Sequence, residues 1–124
     1  MNPLLNLPPA NDALPRGDLT QMDPALRDRV VRIRVTQAIT ERRVCRALYR
    51  SEPGGAPAVR EIEPLHLVFV DDHWSILAWC NLRNDLRSFR SDRLDLLEVT
   101  DRHFSPRKGL SIERFILARK RAMR

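Results

Sequence analysis

The sequence predicts an α+β domain: one N-terminal helix packed on a small five-stranded β-barrel, with a basic C-terminal helix after it. Three observations lead there. Asp23-Pro24 is a strong helix start, with a carboxylate to cap the first free N–H groups and a proline at the first helical position. Residues 43–99 divide into short strand-like runs separated by turn residues, and strands this short joined by tight turns suit a small barrel. The chain has 124 residues, of which 43% are hydrophobic and 31% charged, enough for one modest domain.

Residues 1–23 contain Pro3, Pro8, Pro9 and Pro15 with little periodicity, and are expected to form a flexible arm. In residues 25–41 two patterns compete. Val31, Ile33 and Val35 alternate with Arg32 and Arg34 as in a strand, whereas Leu26, Val30, Ala38 and Ile39 fit a helix. With the cap at Asp23, a helix is expected. Residues 43–49 form the first strand, ended by the loop Glu52-Pro53-Gly54-Gly55. The second covers 59–70, with Pro64 at a bend or edge because proline cannot donate to a ladder. Asp71-Asp72-His73 turns the chain into a third strand over 74–82. Asn84-Asp85 leads to a fourth over 86–90, and 94–99 closes the set. Beyond Pro106 and Gly109, residues 111–121 read as a terminal helix with Ser111 as its N-cap.

Charge and cysteine usage exclude several functions. No apolar run approaches the length that spans a bilayer, and the first residues lack the leader of a secretion signal, so no membrane partner and a cytoplasmic location are expected. The net charge of +6 is unevenly placed. Residues 102–124 carry eight basic side chains against Glu113 alone, while residues 1–101 are one unit negative. Composition therefore does not make the body a nucleic-acid-binding surface; local clustering has to. Cys45 and Cys80 sit among apolar neighbours and read as buried reduced thiols. His66, His73 and His103 show no metal-ligand spacing, and no metal or cofactor is expected. Four glycines without a phosphate-cradling loop, and no nucleophile–base pattern, argue against an enzyme.

The informative stretch is 60–93. Its end brings Arg83, Arg87, Arg90 and Arg93 within eleven residues, against Asp85 and Asp92. Guanidinium groups fork onto carboxylate or phosphate oxygens, so arginines gathered at a sheet edge can hold an anion. Arg83, Arg87 and Arg90 are the expected ligand-binding residues, with His66 and Trp79 as further candidates; Arg93 is expected to be structural. On the third strand Trp74, Ile76 and Ala78 share one face, and Leu77 and Trp79 the other. Tyr49 and Phe89 read as packing residues. The competing reading is an interaction or oligomerisation module whose arginines are structural, and a homodimer is among the assemblies it admits.

The residues also resemble a known family. Ala38-Ile39, Tyr49, Glu63-Pro64-Leu65, the Trp74 strand, Leu82-Arg83, and the run Arg87-Ser88-Phe89-Arg90-Ser91-Asp92-Arg93 are similar to the WYL domain, the C-terminal sensing module of many bacterial transcription regulators. Phe104-Ser105-Pro106-Arg107 with Phe115 resembles the tail of one large subgroup. The naming tripeptide reads Trp74-Ser75-Ile76 here, with serine in place of the central tyrosine. The resemblance implies an Sm-like, SH3-type barrel over 24–104, with 105–124 as a basic extension. It also implies a non-catalytic effector-binding role, the effector being single-stranded nucleic acid or a nucleotide-like anion. The 23 residues before Pro24 are too few for the winged helix-turn-helix that usually precedes such a domain. A separate DNA-binding subunit is therefore among the partners the resemblance admits.

Overall fold

A computed structural model describes residues 16–108 together with Glu113, Arg114 and Leu117. One helix, α1 (Pro24–Glu41), precedes five strands: β1 (Arg43–Tyr49), β2 (Ala58–Val70), β3 (His73–Cys80), β4 (Asp85–Arg90) and β5 (Leu94–His103). A single 3-10 turn, Ser91–Arg93, links β4 to β5. The strands form one antiparallel sheet in the order β4-β3-β2-β1-β5.

The competition between strand and helix in residues 25–41 is settled by burial. Asp23 accepts a hydrogen bond from the Leu26 N–H at 2.8 Å, Pro24 opens the helix, and Val31, Val35 and Ala38 are buried at helical spacing. Ile33 falls on the opposite side and is 70% exposed. Arg42 ends the helix in the left-handed region, φ 53°, with its N–H on the Ala38 and Ile39 carbonyls.

The expected closed barrel is replaced by a bent, open sheet. Among the described residues no ladder joins β4 to β5. The bend comes from β2, whose residues 58–62 pair with β1 and 62–70 with β3, with an irregularity between Pro64 and His66. An extra residue there turns the strand, as a bulge does. In a flat sheet β1 and β4 would lie about 14 Å apart, three strand spacings. Instead the Tyr49 and Phe89 rings meet edge to face at 5.0 Å, and Tyr49 Oη accepts the Arg90 N–H at 3.1 Å. The sheet therefore curls until its first and fourth strands touch through side chains, while β4 and β5 stay unpaired with each other.

Inside the curl lies the core: Cys45, Ala47, Ile62, Ile76, Ala78, Cys80, Phe89, Leu94 and Leu97 against Val31, Val35 and Ala38 of α1. Both cysteines are free and buried, as expected. Burial pushes the Cys45 thiol up to about 12. Polar clamps complete the docking of α1. Arg27 donates to the Leu94 and Leu19 carbonyls, Arg34 to those of Gly17 and Leu97, and Ser91 Oγ donates to Asp28 at 2.8 Å.

The ordered fold starts ahead of the helix. Leu19 is fully buried, and its N–H donates to Asp95 O while Leu97 N–H donates to Gly17 O. The last residues of the expected arm thus run along β5; residues 1–15 lie outside the described residues. So does most of the expected helix over 111–121.

Candidate functional site

The register assigns each selected residue to a side of the sheet. On the outer face, away from α1, β3 places Ser75, Leu77 and Trp79. Beside them stand Val68, His66 and Glu63 of β2, and Arg90, Ser88 and Leu86 of β4. Three of the five selected residues, His66, Trp79 and Arg90, therefore share this face. Arg87 is paired with Ala78 and belongs to the opposite side, where it is exposed. Arg83 lies in the exposed turn over residues 81–84. β4 is an edge strand, so the arginines are strung along one rim of the sheet but are not gathered on one surface.

Their engagement differs too. Arg90 Nε and Nη2 donate to the two carboxylate oxygens of Asp92 at 3.0 and 2.8 Å. That fork holds the Asp92 carboxyl below its ordinary range and raises Arg90 further. Arg93 donates to the Ser51 carbonyl at 2.9 Å and tacks the end of β1 to the 3-10 turn. Arg83 and Arg87 have no carboxylate within 4.0 Å among the described residues. His66 is exposed beside Leu77.

Trp79 is the best-built of the five. Its neighbour across the ladder is Glu63, a carboxylate only 7% exposed. Arg107, from the segment leaving β5, lays its guanidinium over the Trp79 ring at 4.1 Å. The same group forks onto Glu63 through Nε at 3.1 Å and Nη2 at 3.0 Å. An open cleft of about 730 Å³ adjoins this unit, lined by Glu63, Arg107, Asn81, Arg102, His103 and Lys108 among others. Sequence reading did not select Glu63 or Arg107, although both lie in segments it had marked. Their meeting needs a contact across 44 residues, which no local spacing signals. No group of three or more metal-ligating side chains occurs among the described residues.

The WYL domain family model matches residues 30–99, more than half of the chain. The chain belongs to the WYL domain family. It is 29% identical over 96 residues to the uncharacterized HTH-type transcriptional regulator YobV of Bacillus subtilis (strain 168), covering 77% of this chain and 30% of that protein. Among solved structures it is similar to proteasome accessory factor B/C (PafBC) of Arthrobacter aurescens. There the TM-score is 0.64 at 30% identity, over 83% of this chain and 16% of that one. The chain thus spans less than a third of either relative. WYL domains serve in transcription regulators, generally as sensing modules. Among the described residues of this WYL domain, no helix is long and apolar enough to cross a membrane.

Proposed function

We propose that this WYL domain is a non-catalytic effector-binding module of transcription-regulator type, and that its effector is an anion of nucleic-acid or nucleotide-like character. The observation that carries the reading is the state of Arg83 and Arg87. Both are exposed along one sheet rim, and neither is neutralised by a carboxylate among the described residues. An unpaired guanidinium gives its full fork to a phosphate without first breaking an ion pair. Arg90 joins the ligand by exchanging Asp92 for it, an exchange that costs little because both partners are accessible. His66 and Trp79 supply polar and stacking contacts on the face that Arg90 shares.

Titration of a labelled single-stranded oligonucleotide at two salt concentrations tests the proposal. Binding is expected to weaken steeply with salt through counterion release. The Arg83→Ala/Arg87→Ala double variant, shown folded by circular dichroism, is expected to lose at least tenfold in affinity, one charge-assisted hydrogen bond at about 1.5–3 kcal/mol. Salt-indifferent or absent binding, or a double variant that binds like the parent, defeats it.

A second reading rests on exposed apolar side chains. Ile33 on α1 is 70% exposed and Phe69 on β2 is 56% exposed, and Phe69 packs on Trp74, over which Arg32 lies at 5.1 Å. Such a surface suits a protein partner or a second copy. Sedimentation velocity separates the two: self-association lost in Ile33→Asp, with no oligonucleotide binding, favours the interaction module.

A further inference from the structure

Arg107 occupies a site with a chemistry of its own. Beneath it, Trp79 offers an indole face; beside it, Glu63 offers two carboxylate oxygens in one plane. The guanidinium presents a planar edge with two parallel N–H donors to that carboxylate while its flat side rests on the ring. Among the nucleobases, guanine carries the same pair of features. The guanine base has N1–H and N2–H side by side on one edge of a flat π-system, and it too can fork onto a carboxylate while stacking on an aromatic ring. Adenine, cytosine and thymine lack two adjacent donors on one edge.

We propose that Glu63 and Trp79 form a guanine-reading pocket, and that Arg107 is its built-in occupant, which a guanine-bearing effector displaces. The inference rests on the function proposed above and names the base that effector carries. Three further observations support it. Glu63 is buried, so its carboxylate cannot stand empty and needs either Arg107 or an equivalent pair of donors. The Trp79 Nε1 donor is itself buried and has no hydrogen-bond partner among the described residues. The adjoining cleft, about 730 Å³, has room for a nucleotide and carries Arg102, His103 and Lys108 on its wall to meet a phosphate. Arg102 is ion-paired with Glu61 and largely exposed, so its guanidinium can be re-aimed. Arg107, once expelled, adds a fourth basic group to the same wall.

The test uses the full chain and three hexamers of thymidine that differ only in one central base: guanine, inosine, which keeps N1–H but lacks the 2-amino group, or adenine. Guanine is expected to bind at least tenfold more tightly than adenine, with inosine between. In Arg107→Ala the guanine hexamer is expected to bind several-fold more tightly still, because the resident competitor is gone, while the adenine hexamer is unchanged. In Glu63→Gln the three affinities are expected to converge. Should Arg107→Ala melt below the assay temperature, Arg107→Lys, which keeps the charge but loses the planar fork, replaces it. A readout free of affinity comes from Trp74→Phe, which leaves Trp79 as the only tryptophan; guanine is expected to quench its emission and adenine not. Equal binding of all three hexamers by the parent and by the Arg107 variant overturns the pocket and leaves the anion-binding function standing. Displacement of a guanine hexamer by neither GMP nor AMP, but by arginine amide, also overturns it, showing a guanidinium receptor. If no hexamer binds, both proposals fall.

Discussion

Single residues set several of the fold's tolerances. Gly17 has φ 83°, and a Cβ added there would stand 2.5 Å from the Leu97 carbonyl oxygen. The left-handed backbone and the close approach to β5 both demand glycine. Gly17→Ala is expected to destabilise by at least about 2 kcal/mol, read from the urea midpoint. Cys45 is raised by burial to about 12, so it carries almost no thiolate at neutral pH. Alkylation of the native protein is therefore expected to leave Cys45 unmodified until denaturant is added. Asp92 behaves oppositely. The hydrogen bond from Arg90 lowers its carboxyl in the folded state, so the contribution is complete above the unfolded value near ~3.9 and is lost as pH falls through the folded one. The pair is 36% and 51% exposed, which limits it to under about 1 kcal/mol. Asp92→Asn is expected to reduce stability slightly at pH 7 and to remove that part of the acid-side slope in melting temperature.

At the level of elements, turns and caps show which sequence signals are strong. Asp71 and Asp72, φ 53° and 63°, make the two-residue connection between β2 and β3, and both sit in the left-handed region. That is a hairpin turn of the primed kind, in which glycine at the second position is preferred. Asp72→Gly is expected to stabilise by about 0.5–1 kcal/mol in thermal unfolding, unless the hairpin tip is in contact with a partner. The cap at Asp23 and the hairpin at 71–72 were legible because each is a local event of two or three residues. The open edge was not. Closure of a sheet depends on how far a bulge bends one long strand, and Pro64 announces a bend without giving its angle.

For the whole molecule, Tyr49 is the joint. Its hydroxyl receives the Arg90 N–H across the curl, and its ring meets Phe89. Tyr49→Phe keeps the ring contact and deletes only the bond; it is expected to cost about 0.5–1.5 kcal/mol by denaturant unfolding. Because Arg90 also lies on the outer face beside Trp79 and His66, the same variant is expected to loosen the rim on which the proposed anion site stands. Faster amide exchange at β4 than at β2 would register that loosening.

The sequence by itself determined the helix and its cap, five strands in nearly their true places, the inert cysteines and the family. Each of these follows from local propensity, turn chemistry or a linear run of residues. The arginine cluster is the instructive failure of linear reading. Arg87 and Arg90 are three apart, so the two-residue alternation of a strand sends them to opposite faces, and a carboxylate two residues on claims Arg90. The partnership of Glu63, Trp79 and Arg107 came from folding alone. It needs β2 and β3 in register and the chain after β5 led back across them, and the energy that joins a buried carboxylate to a distant guanidinium leaves no periodic mark in the sequence.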